Sequence, residues 1–153
     1  MASIDRSDPV ILSHVLAEHR ELFCQMMAVR SALADKGTLS PDRVDAMLAA
    51  LHALRDHLRC HFEQEEQGGF LEESIARMPR LGPAAAAIMK QHPALLAELD
   101  ALITLLSAGA VSAATWEQVG RSYECFAAHM QAHERSENAV VQEGYNEDLG
   151  LLD

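Results

Sequence analysis

The strongest constraint on how this chain can fold is the spacing of its apolar residues. In four separate stretches of about 25 residues they recur at alternating steps of three and four. The first stretch carries Leu12, Val15, His19, Leu22, Met26, Val29 and Leu33, and the second Val44, Leu48, Leu51, Leu54, Leu58, His61 and Glu65. The third carries Ala85, Ile88, His92, Leu95, Leu99, Leu102 and Leu106, and the fourth Trp116, Val119, Tyr123, Phe126, Met130, His133, Glu137 and Val140. Such steps keep one face of a helix apolar, and no stretch alternates with the period of two that marks a half-buried strand. Stop and start signals separate the stretches. Ser7-Asp8-Pro9 opens the first, Lys36-Gly37-Thr38-Leu39-Ser40-Pro41 closes it and caps the second, Gly68-Gly69 ends the second, and Pro83 leads into the third. The spacing predicts helices over 9–35, 41–66, 83–107 and 115–143, with Phe70 to Gly82 as a connector and Ser107 to Ala114 as a loop. Four helices of similar length joined by short connections bury their stripes by packing antiparallel. The expected fold is therefore all-α, an up-down-up-down four-helix bundle forming a single domain over residues 1–153.

The second half repeats the first. With His19 placed over His92, the steps to His57, His61 and Glu65 each exceed the steps to His129, His133 and Glu137 by a single residue. The surrounding words agree as well, Glu18-His19-Arg20-Glu21-Leu22 lying over Gln91-His92-Pro93-Ala94-Leu95. A pair of helices used twice gives a pseudo-twofold axis, with one His-bearing helix and one helix bearing His and Glu on each side.

His19, His61, Glu65, His92, His133 and Glu137 all stand in the apolar stripes, which turns them toward the core. No Lys or Arg shares those stripes to neutralise the acids. A buried carboxylate without a partner costs several kcal/mol, and two facing each other repel. Metal ions remove that difficulty, because imidazole and carboxylate are natural ligands and the charge is balanced locally. The i, i+4 spacing sets His61 over Glu65, and His133 over Glu137, about 6 Å apart along one helix face. Each His can then bind one ion while its Glu reaches the gap between two. Of the other histidines, His14 and His52 lie off the stripes and are expected in solvent. His57 and His129 flank the stripes, as direct ligands or as outer hydrogen-bonding partners.

Charge and cysteine usage narrow the function classes. Lys plus Arg number 12 against 23 for Asp plus Glu, a formal net charge of -11 that argues against nucleic-acid and membrane-surface binding. The N-terminus lacks the basic start and apolar run of a signal peptide, and no apolar run approaches the roughly 20 residues needed to span a bilayer, which points to the cytoplasm. Cys24, Cys60 and Cys125 are widely spaced with no C-x-x-C pair, as expected of reduced thiols packed as small buried hydrophobes.

The lone His19, the run His61-Phe62-Glu63-Gln64-Glu65-Glu66 followed by Phe70, His92, and His133-x3-Glu137 together resemble the hemerythrin-like, HHE cation-binding domain from about Ser7 to Glu143. The resemblance implies a di-iron centre inside the bundle. His19, His61, His92 and His133 would be terminal ligands, Glu65 and Glu137 bridging carboxylates, and an oxo or hydroxo group would complete the bridge. Oxygen-carrying members are similar but have a second His one turn after the one on helix three, where this chain has Leu96, and their helix-four acid follows its His by five residues rather than four. The departures favour sensing, redox or iron-handling roles over reversible carriage. A small ligand such as O2, another diatomic gas or peroxide would be the partner, with no protein partner indicated. The alternatives are a di-iron redox enzyme reducing peroxide or nitric oxide, and an iron-dependent interaction module. Six nitrogen and oxygen donors with two acids suit adjacent octahedral-type ions such as Fe or Mn better than a closed zinc site, although Mn or Zn are possible substitutes. Ferritin-like di-iron proteins use lone Glu residues and Glu-x-x-His, a pattern this chain lacks.

Overall fold

A computed structural model describes the backbone of residues 9–67 and 70–150 and most side chains from Leu16 to Gly144. The helices are α1 (Pro9–Ala34), α2 (Pro41–Glu66), α3 (Phe70–Arg77), α4 (Gly82–Ser107) and α5 (Ala113–Gly150), with a 3-10 turn at Pro79–Leu81 before α4. Four of them are long, and no strand occurs among the described residues. The long helices touch in a ring, α1 on α2, α2 on α4, α4 on α5 and α5 on α1. No described helix is long and apolar enough to cross a membrane.

The helix ends follow from local chemistry. Ser40 is extended, and its hydroxyl accepts from the Arg43 N–H at 3.2 Å, while Pro41 occupies the first helical turn of α2 where no N–H is missed. The Arg43 guanidinium reaches back to the carbonyls of Gly37 (2.6 Å), Ala32 (3.1 Å) and Asp35, satisfying acceptors that the end of α1 leaves open, and lies over the Trp116 ring of α5. Gly109 makes the α4–α5 loop possible with φ of 106°, a conformation that L side chains rarely adopt. Helix α5 starts two residues before the expected Thr115 because the Ser112 hydroxyl accepts from the Thr115 N–H at 3.1 Å. It also runs on to Gly150, past the expected end at 143.

The connector expected over Phe70 to Gly82 is largely helical. Phe70–Arg77 forms α3 with Glu72 and Glu73 in its first turn and Arg77 in its last, and it stops before Pro79, whose ring disfavours helical backbone in the residue ahead of it. Its buried Leu71 and Ser74 face α5, where a Cβ added at Gly144 would lie 3.4 Å from Ser74.

The stripes are the core. Every stripe residue of α4 and α5 from Ala85 to Val140 is buried, as are all of those on α2 except the partly buried Leu48. On α1, Leu22 and Val29 are buried, Met26 and Leu33 pack at the margin, and Leu12 and Val15 lie outside the described side chains. The apolar residues form two separate clusters. The larger runs from Trp116, Val44 and Leu106 to Leu22, Phe62, Leu95 and Met130, and the smaller joins Leu71, Met78 and Leu81 to Ile88, Val140 and Val141. Between Leu95 and Ile88 on α4, and between Met130 and Val140 on α5, stand His92, His133 and Glu137, so a polar layer separates the clusters.

The cysteines are a correction: Cys24, Cys60 and Cys125 are all exposed. Each lies two residues after a buried stripe residue, Leu22, Leu58 or Tyr123, and a two-residue step turns a side chain about 200° around the helix.

Candidate metal centre

Helix α1 brings His19 to the polar layer, α2 brings His61 and Glu65, α4 brings His92, and α5 brings His133 and Glu137. All six are buried, Glu137 completely. Each carboxylate turns one oxygen to either side. Glu65 sets Oε1 2.5 Å from His61 Nε2 and Oε2 3.0 Å from His92 Nε2. Glu137 sets Oε2 3.2 Å from His19 Nε2 and Oε1 2.5 Å from His133 Nε2, with His92 Nε2 at 3.8 Å from that same oxygen.

Buried polar atoms normally find hydrogen-bond partners. Here the Nε2 atoms of all four histidines and all four oxygens of Glu65 and Glu137 are buried and in contact, yet none is in hydrogen-bonding geometry. They converge on common space instead. The donors fall into two groups, His19, His61, Glu65 and Glu137, and Glu65, His92, His133 and Glu137, in each of which ligand atoms lie within 4.8 Å of one another. Both carboxylates belong to both groups. Imidazole nitrogen and carboxylate oxygen at this density can hold a metal ion.

The electrostatics agree with a site built for positive charge. Burial by itself pulls His61 down, but Glu65, Glu137 and Glu18 outweigh it and raise the ring to about 9. His92 is likewise raised to about 9 against its burial, by Glu137, Glu65 and Glu66, and His19 is raised by Glu137 and Glu134. Burial pushes Glu137 up, yet His133, His19 and His92 hold its carboxyl well below the usual carboxylate range. Protons on imidazole thus balance the acids, and a metal ion would displace them.

A second ring of contacts fixes the imidazoles. His61 Nδ1 lies 2.8 Å from Glu18 Oε2, His92 Nδ1 2.9 Å from Glu66 Oε1, and His133 Nδ1 2.7 Å from Gln91 Oε1. Once the ring is neutral, as a metal ligand must be, an acceptor at Nδ1 holds the remaining proton there and leaves the Nε2 lone pair facing inward, which orients the ring and raises its basicity as a ligand. Sequence reasoning missed these three partners. A signal was present, because Glu18 directly precedes His19 and Gln91 directly precedes His92, the same place in the repeat.

The undecided histidines fall outside both donor groups. His57 is half-buried with Nδ1 2.8 Å from Gln25 Oε1, and His129 is exposed with Nδ1 2.7 Å from Glu98 Oε1. His52 is exposed as expected, and the His14 side chain lies outside the described residues. Comparison with protein-family models, with curated proteins and with solved structures finds no match to this chain.

Proposed function

We propose that this chain is a hemerythrin-like domain whose bundle holds two non-haem iron ions side by side and takes up O2, another diatomic gas or a small oxidant such as peroxide, as a sensor, buffer or scavenger. The carrying observation is that Glu65 and Glu137 each turn one oxygen into either donor group, the disposition of two carboxylates that bridge neighbouring ions. Iron is favoured over zinc because the donors are all imidazole and carboxylate, with the three thiols exposed on the surface. Mn or Zn would be the substitutes.

The contacts between helices support the up-down-up-down order and the internal repeat. As the number rises on α1 it falls on α2, from Glu18–His61 to Gln25–His57, and α4 and α5 behave alike, from Gln91–His133 to Glu98–His129. Each of these pairs also occupies the corresponding place in the two halves. On the remaining faces, Glu66–His92 and Arg55–Asp100 join α2 to α4, and His19–Glu137 and Met26–Tyr123 join α1 to α5, again with opposite directions.

Bound iron would supply redox and Lewis-acid chemistry. The chain's own part is to aim His61, His92 and His133 inward through their Nδ1 contacts, to set the carboxylates of Glu65 and Glu137 between the imidazoles in a buried layer, and to exclude bulk water with the apolar cluster on either side. Anaerobic loading with ferrous iron should give about two Fe per chain, and admission of air should produce near-ultraviolet charge-transfer absorption. A folded, colourless protein that takes up no iron refutes the reading.

A further inference from the structure

The residue that follows the histidine on α2 and on α5 makes the two donor groups unequal. After His61 comes Phe62, whose ring stacks on His92 at 3.9 Å between centroids and stands edge-on to His133 at 5.4 Å, an apolar wall over that group. After His133 comes Glu134. Its Oε1 is buried and no described protein group hydrogen-bonds to it, and its charge acts on His19 and His61 as well as on Glu137. The same side chain lines a cavity of about 260 Å³ between α1 and α5, together with the apolar Phe23, Met26 and Met130 and the half-exposed pair Arg30 and Glu124. A second cavity, of about 310 Å³, lies between α4 and α5 and reaches the layer directly. There it meets His133 beside Gln91, which already holds the ring's outer nitrogen.

We infer that Glu134 is a positioning residue for a small ligand that donates a hydrogen bond, hydrogen peroxide being the fitting class, which enters through the cavity between α1 and α5. This rests on the reading of the layer as a metal centre. A buried acceptor without a donor is costly to the folded chain, and a ligand O–H removes that cost where an apolar diatomic gas cannot. Glu134 therefore discriminates between oxidants that the histidines and bridging acids alone would treat alike.

The test uses the full chain loaded with ferrous iron, as wild type, Glu134→Leu, Glu134→Gln, Ala128→Phe in the α1–α5 cavity and Ala94→Phe in the α4–α5 cavity. Loss of ferrous iron is followed with hydrogen peroxide and separately with O2, each peroxide taking one electron from each of two ferrous ions and leaving as two hydroxides. Glu134→Leu should slow the peroxide reaction by about tenfold, equivalent to about 1.4 kcal/mol, and leave the O2 reaction within about threefold. Glu134→Gln, whose amide oxygen still accepts, should stay near wild type. Ala128→Phe should slow the peroxide reaction and Ala94→Phe should not. Metal-free Glu134→Leu should melt at or above the wild-type temperature, because it removes a buried acceptor that lacks a donor. An equal slowing with both oxidants, a Glu134→Gln variant as slow as Glu134→Leu, or a destabilised Glu134→Leu overturns the inference. A wild-type chain that binds no iron fails the underlying reading instead, and the iron count reveals that before any rate is measured.

Discussion

Replacing Glu137 with glutamine alters the centre by one atom, and the geometry sets the result. The carboxylate places Oε2 at His19 and Oε1 at His133, whereas an amide has one oxygen to offer and turns an N–H₂ toward the other side. One donor group therefore keeps its acceptor and the other loses it, and iron should fall from about two to about one per chain. Stability should fall in the metal-free protein too. Removing one partner of a buried ion pair costs about 3–5 kcal/mol, and for a chain of this size each kcal/mol moves the melting temperature by roughly 2–4 °C. A loss on the order of 10 °C follows for the chelator-treated variant. The iron-loaded variant should lose more, since a ligand at a thousand times its dissociation constant adds about 4 kcal/mol to the folded state. The effect has a pH signature. Glu137 is depressed in the folded chain, so its stabilisation is present above the unfolded carboxyl pKa and is lost as pH falls through the folded value; wild type and variant should converge in acid. Calorimetry with and without iron, combined with metal analysis, decides the matter. Unchanged iron content and coincident melts would refute the reasoning.

Three further outcomes follow. His61 and His92 are raised above the unfolded value of 6.5 to about 9, so their contribution to the metal-free protein is complete below about pH 6.5 and disappears as pH rises through about 9; melting temperatures across that window should decline without metal and hold with it, and a flat metal-free profile would contradict the charge balance. Glu18→Ala and Gln91→Ala each free the outer nitrogen of one imidazole and should weaken metal affinity by about 10- to 100-fold in chelator competition, whereas unchanged affinity would make those contacts idle. Serine at Cys24, Cys60 or Cys125 should alter stability by no more than about 0.5 kcal/mol, and all three thiols should react with a disulfide reagent in the native protein; a thiol that reacts only on unfolding would contradict the exposure.

The four long helices and the inward phase of His19, His61, Glu65, His92, His133 and Glu137 were legible because a stripe of about six turns averages over local noise. Helix α3 was not. Eight residues hold barely two turns, too few for a period to stand out, and Leu71 and Ser74 acquire their meaning only from α5. The cysteines were misjudged on residue type, when their two-residue offset from the stripes already put them outside. The Nδ1 partners and Glu134 depend on the register between helices, which no pattern along one helix encodes. Even so, the repeated Glu18-His19 and Gln91-His92 words held part of that register in plain view. His57 and His129 were ambiguous for the same reason, since a flank position is resolved only by its neighbour, Gln25 or Glu98.

The polar layer also divides the molecule mechanically. Hydrophobic contact spreads cooperativity through a core, and here the larger cluster and the smaller one beneath α3 are interrupted by six ionisable side chains. Without a cation, the end built from Leu71, Met78, Leu81 and Val141 should open as a small unit of its own, exchanging its amide hydrogens at a lower free energy than the Trp116 end. Cations held by donors from four helices would rivet the two units across that seam, and the amides of both ends should then exchange in a single global opening.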